Sequence, residues 1–493
     1  MAKNAIPDWA LRHKTKGTSV HCIRGKYYLY KISSKWDSKK GRAVKKTDGY
    51  LGRITEGGFI SPKIKSIVSD LKNVTIKEFG ASVLMNTLTQ ELQVQLKNIY
   101  PQDWKSLFTI AAIRFFHNSP MKNMNHHFEH SYLSELFLGV NTDPRVISNF
   151  LEKLGSDREK MVLFMKELAS GESENLIIDL THIFSESENI NWLSMGHNSQ
   201  DQFHQQINML LIFSPDRMKP VYFRLMPGAI RDVSSIKATI AEGNISNALF
   251  VGDKGFHSLG NVEMFEEQNL KYILPLKRNN SDIDYEIMKT QDRQKFDGSF
   301  FFQDRLIWSK KGKTKSGRRI VLFFDQRLRV DEERSFLDRV HRMPKEKKEE
   351  KEELLKSFYD KQFELGTITI ITNSDKTAEK IYQCLKARTN IEVAFDTFKN
   401  ILEADKTYMR SDAHMYGWML VNFLSLLMYY IIYGILTSRE LLSHYSPKDI
   451  IMHFSKVYKV KVGDKQTISE IPKTTRILSE KMGFDLDLLR KTC

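Results

Sequence analysis

The segment from Tyr382 to Arg410 contains neither proline nor glycine, so the sequence predicts one helix of about seven turns. An apolar stripe with helical spacing runs along it, formed by Ile391, Phe395, Phe398 and Leu402. Arg388, Glu392 and Lys399 lie beside that stripe, within about 40° of each other around the helix axis. One acid and two bases are therefore expected at the edge of a buried helix face. An ordinary solvent-exposed Glu/Arg pair, worth roughly 0.3 kcal/mol, would show the same i,i+4 spacing.

Two apolar runs upstream of this helix each end in an aspartate. Residues 176–179 close on Asp179, and residues 248–253 close on Asp253. A buried strand that ends in a carboxylate places that carboxylate at the rim of a sheet, and ligands bind at the rims of α/β sheets. The two strands therefore make it less probable that Glu392 belongs to a merely solvated helix face.

Three sequence blocks in this order resemble the DDE transposases of bacterial and archaeal insertion sequences, in particular the insertion-sequence-4-like group and its 1634-type relatives. The first block is IIDLTHIFSES around Asp179. The second is MPGAIRDV followed by VGDKGFHSLGN around Asp253, and the third is the spacing Arg-x3-Glu-x6-Lys from Arg388 to Lys399. The family signature has a tyrosine where this chain has Leu385, and the nearest tyrosine, Tyr382, lies one helical turn earlier. The resemblance covers roughly residues 75 to 455.

The resemblance implies an α/β fold with a ribonuclease-H-like catalytic core that is interrupted by a β-rich insertion domain. It implies that Asp179, Asp253 and Glu392 are the catalytic acids, and that Arg388 and Lys399 contact DNA at the end of the element. The expected reaction is attack of water at that end, which releases a 3′-OH that then attacks target DNA. The family moves DNA by cut-and-paste transposition, with a homodimer expected on the DNA.

Three further expectations concern the same site. Three convergent carboxylates without His or Cys favour two Mg²⁺ ions, which Mn²⁺ could replace, with Asp179 as the bridging ligand. Asp232 could support the site or could simply be an acid at a helix N-terminus. Trp308 could stack on a flipped DNA base, although a tryptophan on a strand is more often part of a core.

Charge favours a polyanionic partner. The 493 residues include 75 Lys and Arg against 60 Asp and Glu, a net charge of +15. Residues 1–55 hold 14 of the basic residues and three acids, and aromatic residues lie among these lysines. Such a basic β-rich region is expected to bind double-stranded DNA, although a solvated hairpin with core aromatics has the same composition.

Six regions are expected from composition and periodicity. They are a basic β-rich region (1–60), a helical domain for DNA-end binding or dimerisation (61–172), the first part of the catalytic core (173–277), an insertion domain (278–366), the second part of the core (367–440) and a C-terminal tail (441–493). Within the core, strands are predicted at 176–179, 207–213, 220–226, 248–252, 272–276 and 366–373, with helices near 233–242 and 259–269.

Other patterns bear on location and metal binding. The apolar segment Trp418–Leu436 is about long enough to span a membrane, but its polar residues favour a helix buried on all sides in a core. His126–His130 is expected to be a surface loop and not a metal site, because no second ligand cluster accompanies it. Three dispersed cysteines and no apolar leader favour a reducing, cytoplasmic location, with the protein associated with the nucleoid.

Several other functions remain open at this stage. A DNA-binding relative without catalysis would share the fold, and Leu385 is the feature in its favour. A metal-dependent nuclease that does not join DNA would share the whole site. A glycosidase would also use paired carboxylates, but the net charge of +15 suits a polysaccharide poorly.

Overall fold

The computed structural model describes residues 6–37, 41–62, 74–170, 176–185, 187, 189–195, 205–228, 233–245, 248–252, 254, 257–290, 292–344, 348–404, 406–407 and 409–491. The chain divides into two compact units. We call them the terminal unit, which comprises Met1–Phe79, Val457–Pro472 and Asp485–Cys493, and the central unit, which comprises Gly80–Lys456 and Lys473–Phe484.

The strands, in chain order, are β1 (Thr18–Ile23), β2 (Lys26–Asp37), β3 (Arg42–Thr55), β4 (Gly58–Ile60), β5 (Val74–Glu78), β6 (Leu176–Ser185), β7 (Ser194–Met195), β8 (Gln205–Ser214), β9 (Lys219–Pro227), β10 (Ala248–Val251), β11 (Lys271–Pro275), β12 (Gly298–Phe302), β13 (Arg305–Lys313), β14 (Arg319–Asp325), β15 (Thr367–Thr372), β16 (Lys406–Thr407), β17 (Tyr458–Val462) and β18 (Lys465–Ile468).

The α-helices, in chain order, are α1 (Asp8–Leu11), α2 (Gly80–Leu88), α3 (Gln90–Ile99), α4 (Trp104–His117), α5 (Met124–Glu129), α6 (Leu133–Leu136), α7 (Pro144–Ser156), α8 (Arg158–Ala169), α9 (Val233–Gly243), α10 (Leu259–Glu267), α11 (Glu286–Thr290), α12 (Gln326–His341), α13 (Lys348–Lys361), α14 (Ala378–Asp396), α15 (Asp412–Ser438), α16 (Pro447–Phe454), α17 (Lys473–Met482) and α18 (Asp487–Lys491).

The terminal unit contains two small antiparallel sheets. One has the strand order β1-β2-β3-β4 and packs α1 against a core of Ala10, Val20, Leu29 and Ile54. The other has the order β18-β17-β5, so residues 458–462 pair with residues 74–78 across most of the chain length. The basic region expected to be β-rich at residues 1–60 does contain four strands, β1 to β4.

The central unit is built on one large sheet with the order β12-β13-β14-β15-β11-β10-β6-β8-β7, in which β9 also pairs with β8 and β16 with β6. Strands β6, β10 and β11 run parallel, whereas β8, β9 and β15 run antiparallel to their neighbours. Apolar residues dominate β6, β8 and β9, as expected for strands buried on both faces. The predicted order of strands and helices between residues 176 and 276 is confirmed.

The segment expected to be an insertion, 278–366, supplies strands to this same sheet. β14 pairs with β15, and β12 and β13 follow it outward to the edge. The strands β12, β13 and β14 follow one another as an antiparallel meander, and the charged stretch after them forms α12 and α13. Because β15 lies between β11 and β14, the core strands and these strands form one continuous ladder.

The helix predicted from Tyr382 to Arg410 is shorter in the structure. α14 ends at Asp396, a π-helical turn covers Thr397–Ile401, and β16 then pairs with β6. The predicted continuous helix was therefore wrong beyond Ile401.

Side chains from α4 explain where this helix stops. The Asn118 amide donates to the carbonyl of Ile401 (2.6 Å), and the buried Arg114 guanidinium donates to the carbonyls of Leu402 and Glu403. These donors take the place of the next helical turn. Two residues more than 280 positions away in the chain thus end a helix that local sequence would allow to continue.

Two other expectations need correction. The helical period assigned to residues 62–170 begins at Gly80, because Val74–Glu78 forms β5 in its pairing with β17, and residues 63–73 lie outside the described residues. The histidine-rich segment is not a loop: it lies on α5, where His127 stacks on His117 with ring centroids 4.1 Å apart.

The apolar segment predicted to be a core helix lies in α15. By length and hydropathy α15 could cross a membrane, but 78% of its most apolar window is buried inside the protein. Helix α7 crosses it so closely that an added Cβ at Gly417 would collide with the carbonyl of Leu151, and one at Gly155 with that of Ala413. The burial of α15 along its length confirms the prediction of a core helix.

Candidate active site

Asp179 lies within β6 in the middle of the central sheet. The expectation that this strand ends at Asp179 and places it at the rim of the sheet was wrong, because β6 continues to Ser185 in its pairing with β8. Asp179 is 4% exposed, although the strand around it is apolar. Its Oδ1 accepts a hydrogen bond from the backbone amide of Leu180 (2.9 Å), and its Oδ2 accepts one from Nη2 of Arg388 (3.1 Å). A buried carboxylate is costly unless it is paired and hydrogen-bonded, and these contacts meet that requirement.

Helix α14 carries Arg388 and Glu392 to this point. Thr377 caps its N-terminus by accepting a hydrogen bond from the amide of Lys380. The predicted apolar stripe is buried, which turns the helix edge toward the sheet. Arg388 donates to Glu392 through Nη1 and to Asp179 through Nη2, so one guanidinium joins both acids. The sequence prediction that β6 and this helix meet at one place is therefore matched by the contacts of Arg388.

The charges in this cluster are partly exposed to solvent. The Glu392 side chain is 49% exposed, whereas that of Asp179 is 5% exposed. Arg388 Nε is buried without a hydrogen-bond partner among the described residues, so the guanidinium is held only by its two terminal nitrogens. The site therefore has a buried acid at its base and an accessible acid at its mouth.

Lys399 lies in the π-helical turn that follows α14. Its Nζ is 3.4 Å from Nε2 of His182, which lies on β6 three residues after Asp179. The His182 ring also packs on Phe184, with centroids 4.8 Å apart. Sequence analysis missed His182; its position in the first block, beside Asp179, was the available signal.

Two of the predicted residues, Asp253 and Asp232, lie outside the described residues. β10, the strand before Asp253, pairs in parallel with β6, with Phe250 opposite Ile178. Within the described ranges no group of three or more His, Cys, Asp or Glu residues could hold a metal ion. The predicted three-acid metal site thus stays a prediction, with Asp179 and Glu392 as its described members.

Trp308 lies elsewhere in the central sheet. Its strand, β13, is five strands from β6, which corresponds to about 24 Å. The partly buried ring packs on Phe296 with centroids 5.7 Å apart, and the Arg293 guanidinium lies 5.8 Å from its centroid. In this structure Trp308 belongs to an apolar cluster of the outer strands, and stacking on a DNA base stays a prediction.

Tyr382, the tyrosine nearest to the family position, is a core residue. It is 1% exposed and packs against three aromatic rings of β12 and β14, those of Phe300, Phe302 and Phe323. Burial, and to a lesser extent Asp325, raises the pKa of its hydroxyl to about 12. Tyr382 thus anchors the start of α14 on the outer strands, while Arg388 anchors its middle on β6.

Comparison with known proteins shows which family the chain belongs to. A family model described as "Transposase DDE domain" matches residues 171–428, just over half of the chain. This range contains β6, β10 and α14, and with them the three predicted acids. No curated protein matches the chain.

Two solved structures are similar to this chain. A piggyBac transposase synaptic complex with hairpin DNA is 11% identical, covering 83% of this chain and 84% of that one, with a TM-score of 0.35. A Mos1 transposase paired-end complex with the left transposon end is also 11% identical, covering 31% of this chain and 58% of that one, with a TM-score of 0.14.

Proposed function

Because the chain belongs to the family of transposases with a DDE domain, we propose that it cleaves DNA at the ends of an insertion-sequence element and joins the released 3′ end to target DNA. The observation that carries this proposal is the contact of Arg388 with both Asp179 and Glu392. It brings two of the three predicted catalytic acids together from positions more than 200 residues apart. The insertion-sequence-4-like group is the proposed subfamily.

We propose further that the core is ribonuclease-H-like. The strand order β9-β8-β6-β10-β11 supports this, with three antiparallel strands followed by two that run parallel to β6. In such a sheet the acid on the central strand faces the end of the neighbouring parallel strand. β10 ends two residues before Asp253, which is why that aspartate is retained as the third acid.

The donor set suits a divalent cation. Carboxylate oxygens are the ligands that Mg²⁺ and Mn²⁺ prefer, and the side chains of Asp179 and Glu392 already converge on one cationic group. Asp179, Asp253 and Glu392 would hold two such ions. Bound there, the ions would activate the attacking oxygen and neutralise charge at the phosphorus.

The residues around the site orient the acids and contact DNA. The Leu180 amide fixes the orientation of the buried Asp179 carboxylate, and the exposed Glu392 can meet DNA from the solvent side. Arg388 holds both acids until DNA arrives, and it is then free to contact a phosphate, as is Lys399 beside His182.

DNA is the proposed partner, since the reaction acts on it and the chain is strongly basic. A homodimer is proposed because two element ends must be cut and joined together. The proposed location is the cytoplasm, in association with the nucleoid, as for any enzyme that acts on bacterial or archaeal chromosomal DNA.

A cleavage assay tests this function. Full-length protein is mixed with a labelled duplex that carries the end of the DNA element encoding it, in Mg²⁺, Mn²⁺ or EDTA. We expect metal-dependent cleavage at the end, lost in Asp179→Asn and Glu392→Gln and kept in the control Glu379→Gln, an exposed acid on the same helix. Cleavage by Glu392→Gln at the wild-type rate would contradict the assignment.

The same assay separates the alternatives. Joining of the cut 3′ end to a second duplex identifies a transposase, whereas cutting without joining identifies a nuclease. Tight binding without cutting in any metal identifies an inactive DNA-binding relative, and Leu385→Tyr would then be the first variant to try for recovered cleavage.

A further inference from the structure

Strands β2 and β3 extend beyond the sheet they belong to. β1 pairs with β2 only up to Lys31, and β4 pairs with β3 only from Arg53 to Thr55. The pairing of β2 with β3 continues past these limits from Ile32 opposite Thr47. We call residues 32–37 and 42–47 the distal ribbon; in the described part of the chain it has no third strand.

The distal ribbon has the dimensions of a DNA-groove element. Its six consecutive residue pairs, from Ile32–Thr47 to Asp37–Arg42, span about 20 Å, and it is two strands wide. Register shifts between Leu29 and Tyr30 and between Lys31 and Ile32 mark the point at which it leaves the sheet, and such bulges bend a strand away from its neighbours. A two-stranded ribbon of this width fits the major groove of B-form DNA.

Charge is concentrated on the distal ribbon. Its basic residues Lys35, Arg42, Lys45 and Lys46 are all exposed, as is Lys31 just before it. The sequence from residue 31 to residue 48 places only Asp37 and Asp48 among them as acids. An isolated ribbon contributes little to folding, so this cluster of cations is not explained by packing.

The cations occupy both faces of the ribbon. Residues directly opposite each other share a face, and faces alternate along each strand. Lys45 therefore shares one face with Trp36, whereas Lys35, Arg42 and Lys46 share the other. A ribbon that lay flat on a polyanion would need cations on one face only. A ribbon inside a groove meets phosphates on both sides.

Trp36 is the other unusual residue. It is 66% exposed near the outer end of the ribbon, while the aromatic residues closer to the sheet pack in pairs, such as Tyr27 on Trp9 and Tyr30 on Tyr50. A tryptophan at such a position has no role in the core. It can make the apolar contacts with base edges, such as thymine methyl groups, that groove-binding elements use.

We propose that the distal ribbon binds in the major groove of duplex DNA, with its lysines and Arg42 on the phosphates of both walls and Trp36 on the base edges. This inference rests on the proposed function for the identity of the polyanion. It assigns DNA contact to residues far in sequence from Asp179 and Glu392, and it requires no catalysis.

The test measures binding of the full chain to a labelled duplex in EDTA, so that cleavage plays no part. The triple variant Lys35→Gln, Lys45→Gln, Lys46→Gln should lower the slope of log affinity against log salt by roughly 2.7, because each lost phosphate contact removes about 0.9. Trp36→Ser should weaken binding about tenfold with an unchanged slope, since it removes a base contact and no charge.

A matched control removes the same charge elsewhere. Lys348, Lys356 and Lys361 are exposed on α13, and their triple change to Gln should leave the slope as in wild type. All variants should keep the wild-type melting temperature, because the altered side chains are solvent-exposed. An unchanged slope in the ribbon variant, or an equal drop in the α13 variant, would overturn the proposal.

Small molecules that bind one groove of DNA test whether the ribbon binds in the major groove. Methyl green, which occupies the major groove, should weaken the binding of the wild-type protein to DNA. It should weaken the remaining DNA binding of the ribbon variant much less. Competition by netropsin alone, a minor-groove ligand, would overturn the major-groove assignment. Because binding and cleavage are read separately, a protein that binds through the ribbon without cutting would contradict the proposed function and leave this inference standing.

Discussion

Arg388 donates to Asp179 and to Glu392 at once, so its guanidinium lies between two of the acids proposed to hold a divalent ion. A divalent ion must compete with this positive charge. We therefore expect Arg388→Gln to bind Mn²⁺ about tenfold more tightly than wild type, because removing a nearby like charge favours a cation by about 1 kcal/mol or more. Mn²⁺ titration followed by electron paramagnetic resonance measures this directly, without DNA.

The chain offers a matched control for that measurement. Arg329 pairs with Glu333 at the same i,i+4 spacing on α12, with Nε and Oε1 2.8 Å apart. Arg329→Gln should leave Mn²⁺ binding unchanged. Equal affinity in wild type and Arg388→Gln would show that the ion does not bind between these acids.

Lys448 makes stability depend on pH. Its Nζ donates to the Phe115 carbonyl and to Asn118, and burial, together with the charge of Arg114, lowers its pKa to about 8. Unfolding restores a pKa near 10.4, so between these values the unfolded chain holds the proton that the folded chain has lost. Lys448 therefore destabilises the fold below about pH 8, and that cost is relieved as pH rises toward about 10.

Urea unfolding at several pH values checks this expectation. Relative to Lys448→Met, wild type should gain up to about 3 kcal/mol between the two pKa values. Lys456→Met, at an exposed position just after the same helix, should change the pH dependence little. The opposite sign, a loss of wild-type stability on raising the pH in this window, would contradict the assignment.

Single residues also show which contacts of the candidate site could be predicted from the sequence. The spacing of Arg388 and Glu392 on one helix, and the aspartate in an apolar strand, were enough to predict that they belong together. The pairing of Lys399 with His182 was not predictable, because it depends on a π-helical turn and on the register of β6. Spacing along an ideal helix places Lys399 correctly only while the helix continues.

At the scale of elements, the crossing of α7 and α15 depends on two glycines that let their backbones touch. Gly417→Ala would press a methyl group into the Leu151 carbonyl, and the helices must separate to accept it. We expect a loss of about 3 kcal/mol in the free energy of unfolding, as for other overpacked core sites. Gly434→Ala on the same helix meets nothing within 4 Å and should stabilise by about 0.5 to 1 kcal/mol.

Chemical denaturation of the two variants compares them on one helix. Both changes remove the same backbone flexibility and add the same methyl group. A difference in stability between the two variants therefore measures the effect of the close crossing of α7 and α15. Similar stabilities for Gly417→Ala and Gly434→Ala would mean that the close approach of the two helices does not contribute to the free energy of unfolding.

The end of α14 depends on Arg114. This arginine is 4% exposed, and its guanidinium donates to two carbonyls after the π-helical turn and to Asn422 (3.1 Å). Arg114→Met keeps the length of the side chain but leaves these acceptors unsatisfied, at about 1–3 kcal/mol for each buried group. We expect marked destabilisation and faster hydrogen exchange of the amides near residues 402–404.

An exposed arginine serves as the control for this change. Arg145→Met, on the surface of α7, should shift stability by no more than about 0.5 kcal/mol. If hydrogen exchange near residues 402–404 stayed as slow in Arg114→Met as in wild type, Arg114 would not be what holds the end of α14.

Elements differ in how well sequence predicted them. The core strands and the helices between them were predictable because apolar runs, turns and helical periods alternate clearly from residue 176 to residue 276. The end of α14 was not, because Arg114 and Asn118 come from a different part of the chain. The same reason explains β5, which was expected to belong to a helical domain but pairs with β17.

For the whole molecule, sequence order and spatial order differ in two ways that periodicity could not reveal. The segment 278–366 extends the core sheet, because β14 finds an open edge at β15. The terminal unit combines the first 79 residues with segments after residue 456. Local patterns predict strands, but which edge a strand joins is decided by the partners that the rest of the chain leaves open.

The pairing of β5 with β17 also has a consequence during protein synthesis. A ribosome makes β5 about 380 residues before its partner, so the edge of that strand has no mate while almost the entire central unit is being translated. The terminal unit can form its second sheet only after residues 458–462 have been synthesised. A nascent chain, or a fragment released early, would therefore carry a finished sheet with its acids but an incomplete terminal unit.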